Sequence, residues 1–97
     1  MLVQPGWQEV TTQNLARLLE PDAGVRALAL FGSALQPVPD LWSDLDVLLV
    51  VEEAGKTRFH LDLKWLAPLG ELYTWDRSTN PFVSVTRACF EDFRRID

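Results

Sequence analysis

The chain has 97 residues and a formal net charge of −5 at neutral pH, and 47% of its residues are apolar. This length and apolar content suffice for one small hydrophobic core but not for two domains. Nine basic residues without a Lys/Arg run argue against a nucleic-acid-binding surface, because such surfaces neutralise many phosphates with clustered cations. The sequence also excludes a membrane span, since no apolar stretch approaches the roughly 20 residues that crossing a bilayer requires.

The first predicted elements are a helix and a buried strand. Thr11 or Thr12 can cap a helix that ends near Pro21. The leucines at helical spacing in it are Leu15, Leu18 and Leu19. The apolar run Val25–Phe31 then predicts a strand, and Gly32 ends it.

The second half of the chain predicts an alternation of strands and one helix. Asp44 and Asp46 open a second apolar strand that runs to Val51. We expect this strand and the first to be covered on both faces. A helix over residues 57–67 follows, then a strand over 71–77 at an edge or a partly exposed position of the sheet. A strand over 83–90, a two-residue turn at 91–92 and a last strand that reaches Asp97 complete the chain. The predicted class is α/β, with a mixed β-sheet and flanking helices.

Gly32 and Ser33 form a turn suited to binding phosphate. A glycine allows the backbone to approach a ligand closely. If Ser33 opens a helix, the N–H groups at its start and the serine hydroxyl can face phosphate oxygens. The sequence therefore predicts a phosphate site at these residues.

Asp44 and Asp46 form a carboxylate pair suited to binding metal ions. Residues i and i+2 of a strand point to the same face and lie about 7 Å apart. Magnesium takes oxygen ligands at about 2.0–2.1 Å, and a two-metal site holds its ions about 3.5–4 Å apart, a span that two such aspartates can bridge.

Taken together, Phe31-Gly32-Ser33, ten intervening residues and Asp44-Leu45-Asp46-Val47 resemble the signature of the DNA polymerase beta-like nucleotidyltransferase superfamily. The resemblance is close over residues 25–51 and looser elsewhere, and it is greatest to the small-molecule branch that includes aminoglycoside adenylyltransferases. Relatives often carry a glycine where this chain has Pro37. The resemblance implies a nucleotidyltransferase core spanning residues 1–97.

The family requires a third carboxylate on a neighbouring strand, and the resemblance favours Asp97 at the end of the closing hairpin. Asp62, Glu71 and Asp76 are alternatives with less support from the family pattern. Relatives continue beyond the third carboxylate with a further strand and usually a helical domain. The chain is therefore expected to be the N-terminal part of a longer protein, and whether it is active alone is left open.

The resemblance implies transfer of a nucleoside monophosphate from a nucleoside triphosphate, ATP by preference, to a hydroxyl of a small-molecule acceptor such as an aminoglycoside-like compound. Asp44, Asp46 and Asp97 would be the catalytic carboxylates and the ligands of two Mg²⁺ ions. Gly32 and Ser33 would bind the nucleotide phosphates. Neither a nucleic acid nor a membrane is an expected partner.

Two alternative functions remain open. One is a minimal antitoxin-type nucleotidyltransferase module that acts on a protein partner. The other is a catalytically silent nucleotide-binding domain, which the intact Asp44 and Asp46 argue against.

Two further expectations concern single residues. Arg95 shares a strand face with Asp97 and is expected to be solvated or paired with Glu91 or Asp92 rather than to contact phosphate. Cys89 cannot form an internal disulfide as the only cysteine, and we expect it to be a small buried residue. Its presence and the lack of a signal peptide predict a cytoplasmic protein.

Overall fold

The computed structural model describes residues 4–32, 41–53, 58–59, 63–79, 81 and 84–97. Within these residues the chain combines helices with β-strands, in agreement with the α/β class in its general sense. In chain order the elements are α1 (Trp7–Leu19), β1 (Val25–Phe31), β2 (Asp46–Val51), a 3₁₀ helix (Lys64–Leu69), β3 (Leu72–Thr79), β4 (Ser84–Phe90) and β5 (Arg95–Ile96).

The strands form two antiparallel groups. β1 pairs with β2, with Phe31 opposite Asp46 at one end of the ladder and Val25 opposite Val51 at the other. β4 lies between β3 and β5 and pairs antiparallel with both. The strand predicted over residues 71–77 is therefore an edge strand, as expected, and most of its side chains are exposed.

A short parallel contact joins the two groups side by side. Leu45 and Ile96 form a parallel bridge. The N–H of Leu45 donates to the Arg95 carbonyl at 2.8 Å, the N–H of Asp97 donates to the Leu45 carbonyl at 3.0 Å, and the N–H of Val47 donates to the Asp97 carbonyl at 3.1 Å. The strand order across this junction is β1-β2-β5-β4-β3, which makes the arrangement mixed.

One face of this arrangement carries the hydrophobic core. The α1 side chains that point to it recur every four residues: Trp7, Thr11, Leu15 and Leu19. They lie with Leu45, Phe90 and Ile96, which are 0%, 1% and 6% exposed. Because burial of a large apolar side chain contributes about 1.5–3 kcal/mol, this face provides most of the stabilisation of the fold.

The opposite face of β1 and β2 is exposed at the residues that the structure describes, which contradicts the expectation that both faces are covered. Phe31, Leu48 and Val50 are 51%, 48% and 43% exposed. Alternate residues of the same strands, such as Leu28 and Leu49, pack against the core. The apolar composition of both faces favoured two covering layers, but the described helices pack on the core face alone.

α1 begins at Trp7, earlier than the predicted start at Thr11 or Thr12. Thr11 is 1% exposed inside the helix, and the hydroxyl of Thr12 donates to the Gln8 carbonyl at 2.7 Å. The N-cap is Gly6, in the left-handed conformation with φ 81. Sequence periodicity missed the first turn because its buried positions include the polar residues Gln8 and Thr11.

The predicted helix over residues 57–67 is observed in part and in altered form, and residues 57 and 60–62 lie outside the described part of the chain. Arg58 and Phe59 are helical, whereas Lys64–Leu69 form a 3₁₀ helix with Pro68 inside it. The N–H of Leu66 donates to the Leu63 carbonyl at 2.9 Å, an i to i+3 contact. Pro68 has no N–H and disfavours an α-helix around it, so this short segment adopts the tighter form.

The β4–β5 hairpin has a longer loop than the predicted two-residue turn. The N–H of Phe90 donates to the Arg94 carbonyl at 2.9 Å, which leaves residues 91–93 in the loop. Phe93 has φ 74, the left-handed conformation that three-residue hairpin loops require at their last position. The sequence signal was weak because a phenylalanine occupies a position that glycine usually fills.

We expected Cys89 to be buried, but it is half-buried.

Within the described part of the chain, no helix combines the length and the apolar character needed to cross a membrane.

Candidate metal centre

Asp44, Asp46 and Asp97 converge on the open face of the sheet. Each offers a carboxylate oxygen, and these oxygens all lie within 4.8 Å of one another. Asp44 and Asp46 flank Leu45 at the start of β2, and Asp97 follows Ile96 at the end of β5. Because side chains alternate along a strand, burial of Leu45 and Ile96 turns the aspartates to the opposite face.

The parallel junction between β2 and β5 determines where Asp97 lies. Its N–H and carbonyl both hydrogen-bond to the β2 segment, at Leu45 and Val47 respectively. The backbone of Asp97 is therefore held next to Asp46. A shift of β5 by one residue would bury Asp97 and expose Ile96, so the buried pair of Leu45 and Ile96 also fixes the register.

The first turn of α1 holds the segment that leads into the aspartates. The indole N–H of Trp7 donates to the Leu41 carbonyl at 2.8 Å, and the side-chain amide of Gln8 donates to the Ser43 carbonyl at 3.3 Å. Both donors are nearly fully buried. The sequence interpretation did not assign this role to either residue, since neither belongs to the leucine stripe.

Gly32 lies directly against the Asp46 carboxylate. It has φ +71, and a Cβ added to it would lie 2.5 Å from Oδ2 of Asp46. A side chain at this position would therefore enter the space beside the carboxylates. Ser33, the other predicted phosphate-binding residue, lies outside the described residues, and its role stays a prediction.

Burial and neighbouring negative charge raise the pKa of Asp97 and of Asp46. Burial, followed by the negative charge of Asp44 and a hydrogen bond shared with it, raises the pKa of the Asp97 carboxyl to about 6. Burial and the charge of Asp44 also raise the pKa of Asp46. The cluster is therefore short of positive charge.

The donor set fits a hard divalent cation. Oδ1 of Asp97 is buried and has no hydrogen-bond partner within the part of the chain that the structure describes. Oxygens on opposite sides of a Mg²⁺ ion lie about 4.2 Å apart, so small side-chain rotations would bring the three oxygens into its coordination sphere. A bound cation would supply both the missing partner and the missing charge.

Arg95 is a cation beside this cluster. Its Nη1 lies 3.4 Å from Oδ1 of Asp44, and the side chain of Arg95 is 49% exposed. The half-exposed side chain agrees with the expectation of a solvated arginine, but its ion pair is with Asp44 rather than with Glu91 or Asp92, and Asp92 is bound by Arg94 instead. Arg95 compensates the cluster in part, since a half-exposed pair is screened by solvent.

The alternative third carboxylates do not join the cluster where the structure describes them. Asp76 pairs with Arg87 at 2.7 Å on the surface of β3 and β4. Glu71 lies beside Glu91, and their hydrogen bond raises the pKa of Glu91. Asp62 lies outside the described residues.

Comparisons of the chain with protein-family models, with curated proteins and with solved structures give no match. Assignment to the nucleotidyltransferase superfamily therefore stays a prediction from the motif, and the functional inference depends on the geometry of the site.

Proposed function

We propose that the chain is a nucleotidyltransferase domain that transfers a nucleoside monophosphate from a nucleoside triphosphate to a hydroxyl of a small-molecule acceptor. The observation that carries this proposal is the convergence of Asp44, Asp46 and Asp97, with Gly32 against them. The motif placed two of these acids together, and the fold brings the third to them from the far end of the chain.

The site is suited to binding the triphosphate through cations. Asp44 and Asp46 would hold the nucleotide-associated Mg²⁺ and share a second Mg²⁺ with Asp97. When bound, Mg²⁺ supplies charge that stabilises the phosphate oxygens during an in-line displacement. The Gly32 backbone offers a close approach for a phosphate beside the same carboxylates.

The chain's own residues orient the reactants and accept a proton. The acceptor oxygen forms a bond to the α-phosphorus, the bond from that phosphorus to the bridging oxygen breaks, and pyrophosphate leaves with the electron pair. The hydroxyl proton passes to a carboxylate, for which Asp97 is the candidate because burial and the charge of Asp44 raise its pKa. Orientation and charge stabilisation account for the rest of the catalysis.

The charge distribution favours a small acceptor over a nucleic acid. Several arginines are each engaged with a carboxylate. These pairs are Arg26–Glu52, Arg58–Asp22, Arg87–Asp76, Arg94–Asp92 and Arg95–Asp44. A polynucleotide backbone requires clustered uncompensated cations, and a chain of net charge −5 with paired arginines is poorly suited to it.

The test is calorimetric titration of ATP and GTP into the wild-type chain with and without Mg²⁺, repeated with Asp44→Asn and Asp46→Asn. Asp76→Asn is the matched control, because Asp76 is an exposed carboxylate on β3 that pairs with Arg87. We expect Mg²⁺-dependent binding in the wild type and the control. We expect at least about tenfold weaker binding in the two site variants, since even changes outside the ligand shell cost metal sites that much.

Equal affinity in all four proteins would contradict the proposal. Turnover is then measured as pyrophosphate release with hydroxylated acceptors. Nucleotide binding without release would favour the silent domain, and labelling of a co-purified protein would favour the antitoxin-type module.

A further inference from the structure

Arg94 is a partly buried arginine that the sequence interpretation did not single out. Its side chain is 14% exposed. Nε donates to both carboxylate oxygens of Asp92 at 2.9 and 2.8 Å, and Nη2 donates to the Leu69 carbonyl at 2.6 Å. Nη1 lies 3.4 Å from the Thr11 hydroxyl, and the guanidinium carbon lies 4.6 Å from the centre of the Phe90 ring.

These contacts connect three elements through one side chain. Asp92 belongs to the β4–β5 loop, Leu69 ends the 3₁₀ helix, and Thr11 lies in the buried stripe of α1. Gly70 makes room for the arginine, because a Cβ at that position would collide with Nη2 of Arg94. The planar guanidinium suits this set of acceptors in a way that a lysine ammonium does not.

The same residue fixes the start of β5. The Arg94 carbonyl accepts the hydrogen bond from Phe90 that closes the loop, and Phe93 just before it is held at φ 74. A non-glycine residue keeps this conformation when its surroundings impose it. β5 comprises Arg95 and Ile96, so its position before Asp97 depends on the loop that precedes it as well as on its pairing with β4 and with Leu45.

We propose that Arg94 is a positioning residue for the metal centre, which anchors the β4–β5 hairpin to the core so that Asp97 reaches Asp44 and Asp46. This inference rests on the proposed function. It differs from a purely stabilising role because loss of Arg94 weakens metal binding through Asp97 in molecules that are still folded.

The experiment is a double-mutant cycle on Mn²⁺ affinity, measured by electron paramagnetic resonance on the wild type, Arg94→Gln, Asp97→Asn and the double variant. Thermal unfolding is first followed by circular dichroism, and Mn²⁺ affinity is measured at a temperature at which all four proteins are folded. We expect Arg94→Gln to weaken Mn²⁺ binding about tenfold or more, as for other residues that orient metal ligands. In the Asp97→Asn background the same change should cause no further loss.

Arg58→Gln is the matched control. Arg58 also binds a carboxylate with two nitrogens, at 2.6 and 2.9 Å from Asp22, and lies over a ring, 4.2 Å from the centre of Phe59. It makes no contact with the hairpin among the described residues. If Arg94→Gln does not fold, Arg94→Lys takes its place in the cycle.

A second readout does not depend on metal. Amide hydrogen exchange at Leu45 and Asp97 reports on the β2–β5 hydrogen bonds, and Arg94→Gln should accelerate it relative to the wild type while Arg58→Gln does not. Unchanged Mn²⁺ affinity and unchanged exchange in Arg94→Gln would overturn the inference, as would an affinity loss that persists in the Asp97→Asn background. If the wild type binds no Mn²⁺, the proposed function fails, and the exchange result alone decides whether Arg94 positions β5.

Discussion

At the scale of single residues, Gly32 and Asp46 depend on each other. A positive φ of 71 at position 32 disfavours any residue with a Cβ, and the Asp46 carboxylate occupies the place where that Cβ would lie. If glycine were needed only for its backbone conformation, the positive φ would be the only constraint at this position. The closeness of the Asp46 carboxylate links this glycine to the carboxylate site as well.

Gly32→Ala should therefore destabilise the protein and weaken its metal binding. Gly6→Ala is the matched control, since Gly6 has φ +81 and no atom within 4 Å of an added Cβ. The control should lose about 1–2 kcal/mol, the cost of a left-handed conformation, and retain its Mn²⁺ affinity. Urea denaturation and Mn²⁺ titration measure the two effects, and equal behaviour of both variants would show that the contact with Asp46 has no consequence.

Asp97 should give the metal-free protein a specific pH dependence. Its pKa in the folded protein is about 6, above the ordinary value of 3.8 that applies to the unfolded chain. Protonation then favours the folded state, so the contribution of Asp97 is fully present below about pH 4 and is lost as pH rises through about 6.

The measurement is urea denaturation of the wild type and Asp97→Asn in EDTA at several pH values. Asp97→Asn should gain stability relative to the wild type between pH 4 and pH 7. A difference between the two proteins that does not change with pH would contradict the raised pKa of Asp97.

At the scale of elements, β1 and β2 present one face to the core and the other to solvent. Both strands were predicted from the sequence, and β1 has the predicted bounds. Their apolar runs are long, and each has a clear end: the first stops at Gly32 and the second after Val51. It did not predict the open face. An apolar run has the same composition whether one face or both are covered, so periodicity cannot distinguish these two cases.

Two neighbouring leucines of β2 test this asymmetry. Leu49 packs against the core, whereas Leu48 is 48% exposed. Leu49→Ala should cost about 2 kcal/mol or more in the free energy of unfolding, and Leu48→Ala about 0.5 kcal/mol or less. Chemical denaturation measures both, and equal losses would indicate that the outer face is covered in solution.

At the scale of the whole molecule, the candidate site gathers residues from distant parts of the chain. The spacing of Gly32, Asp44 and Asp46 is local enough for the sequence to predict their proximity. The placement of Asp97 came from family resemblance, because nothing in the residues themselves shows that β5 runs parallel to β2. The sequence interpretation missed the roles of Trp7, Gln8 and Arg94, since each of them binds a backbone carbonyl, and such a contact leaves no sequence pattern.

The central claim is that Asp44, Asp46 and Asp97 together bind divalent cations. The most direct test is the anomalous diffraction of Mn²⁺ in crystals grown with Mn²⁺ and a non-hydrolysable ATP analogue. We expect an anomalous peak within coordination distance of all three carboxylates, with the phosphates of the analogue within coordination distance of the same peak. Ordered density for the three carboxylates without an anomalous peak between them would contradict it.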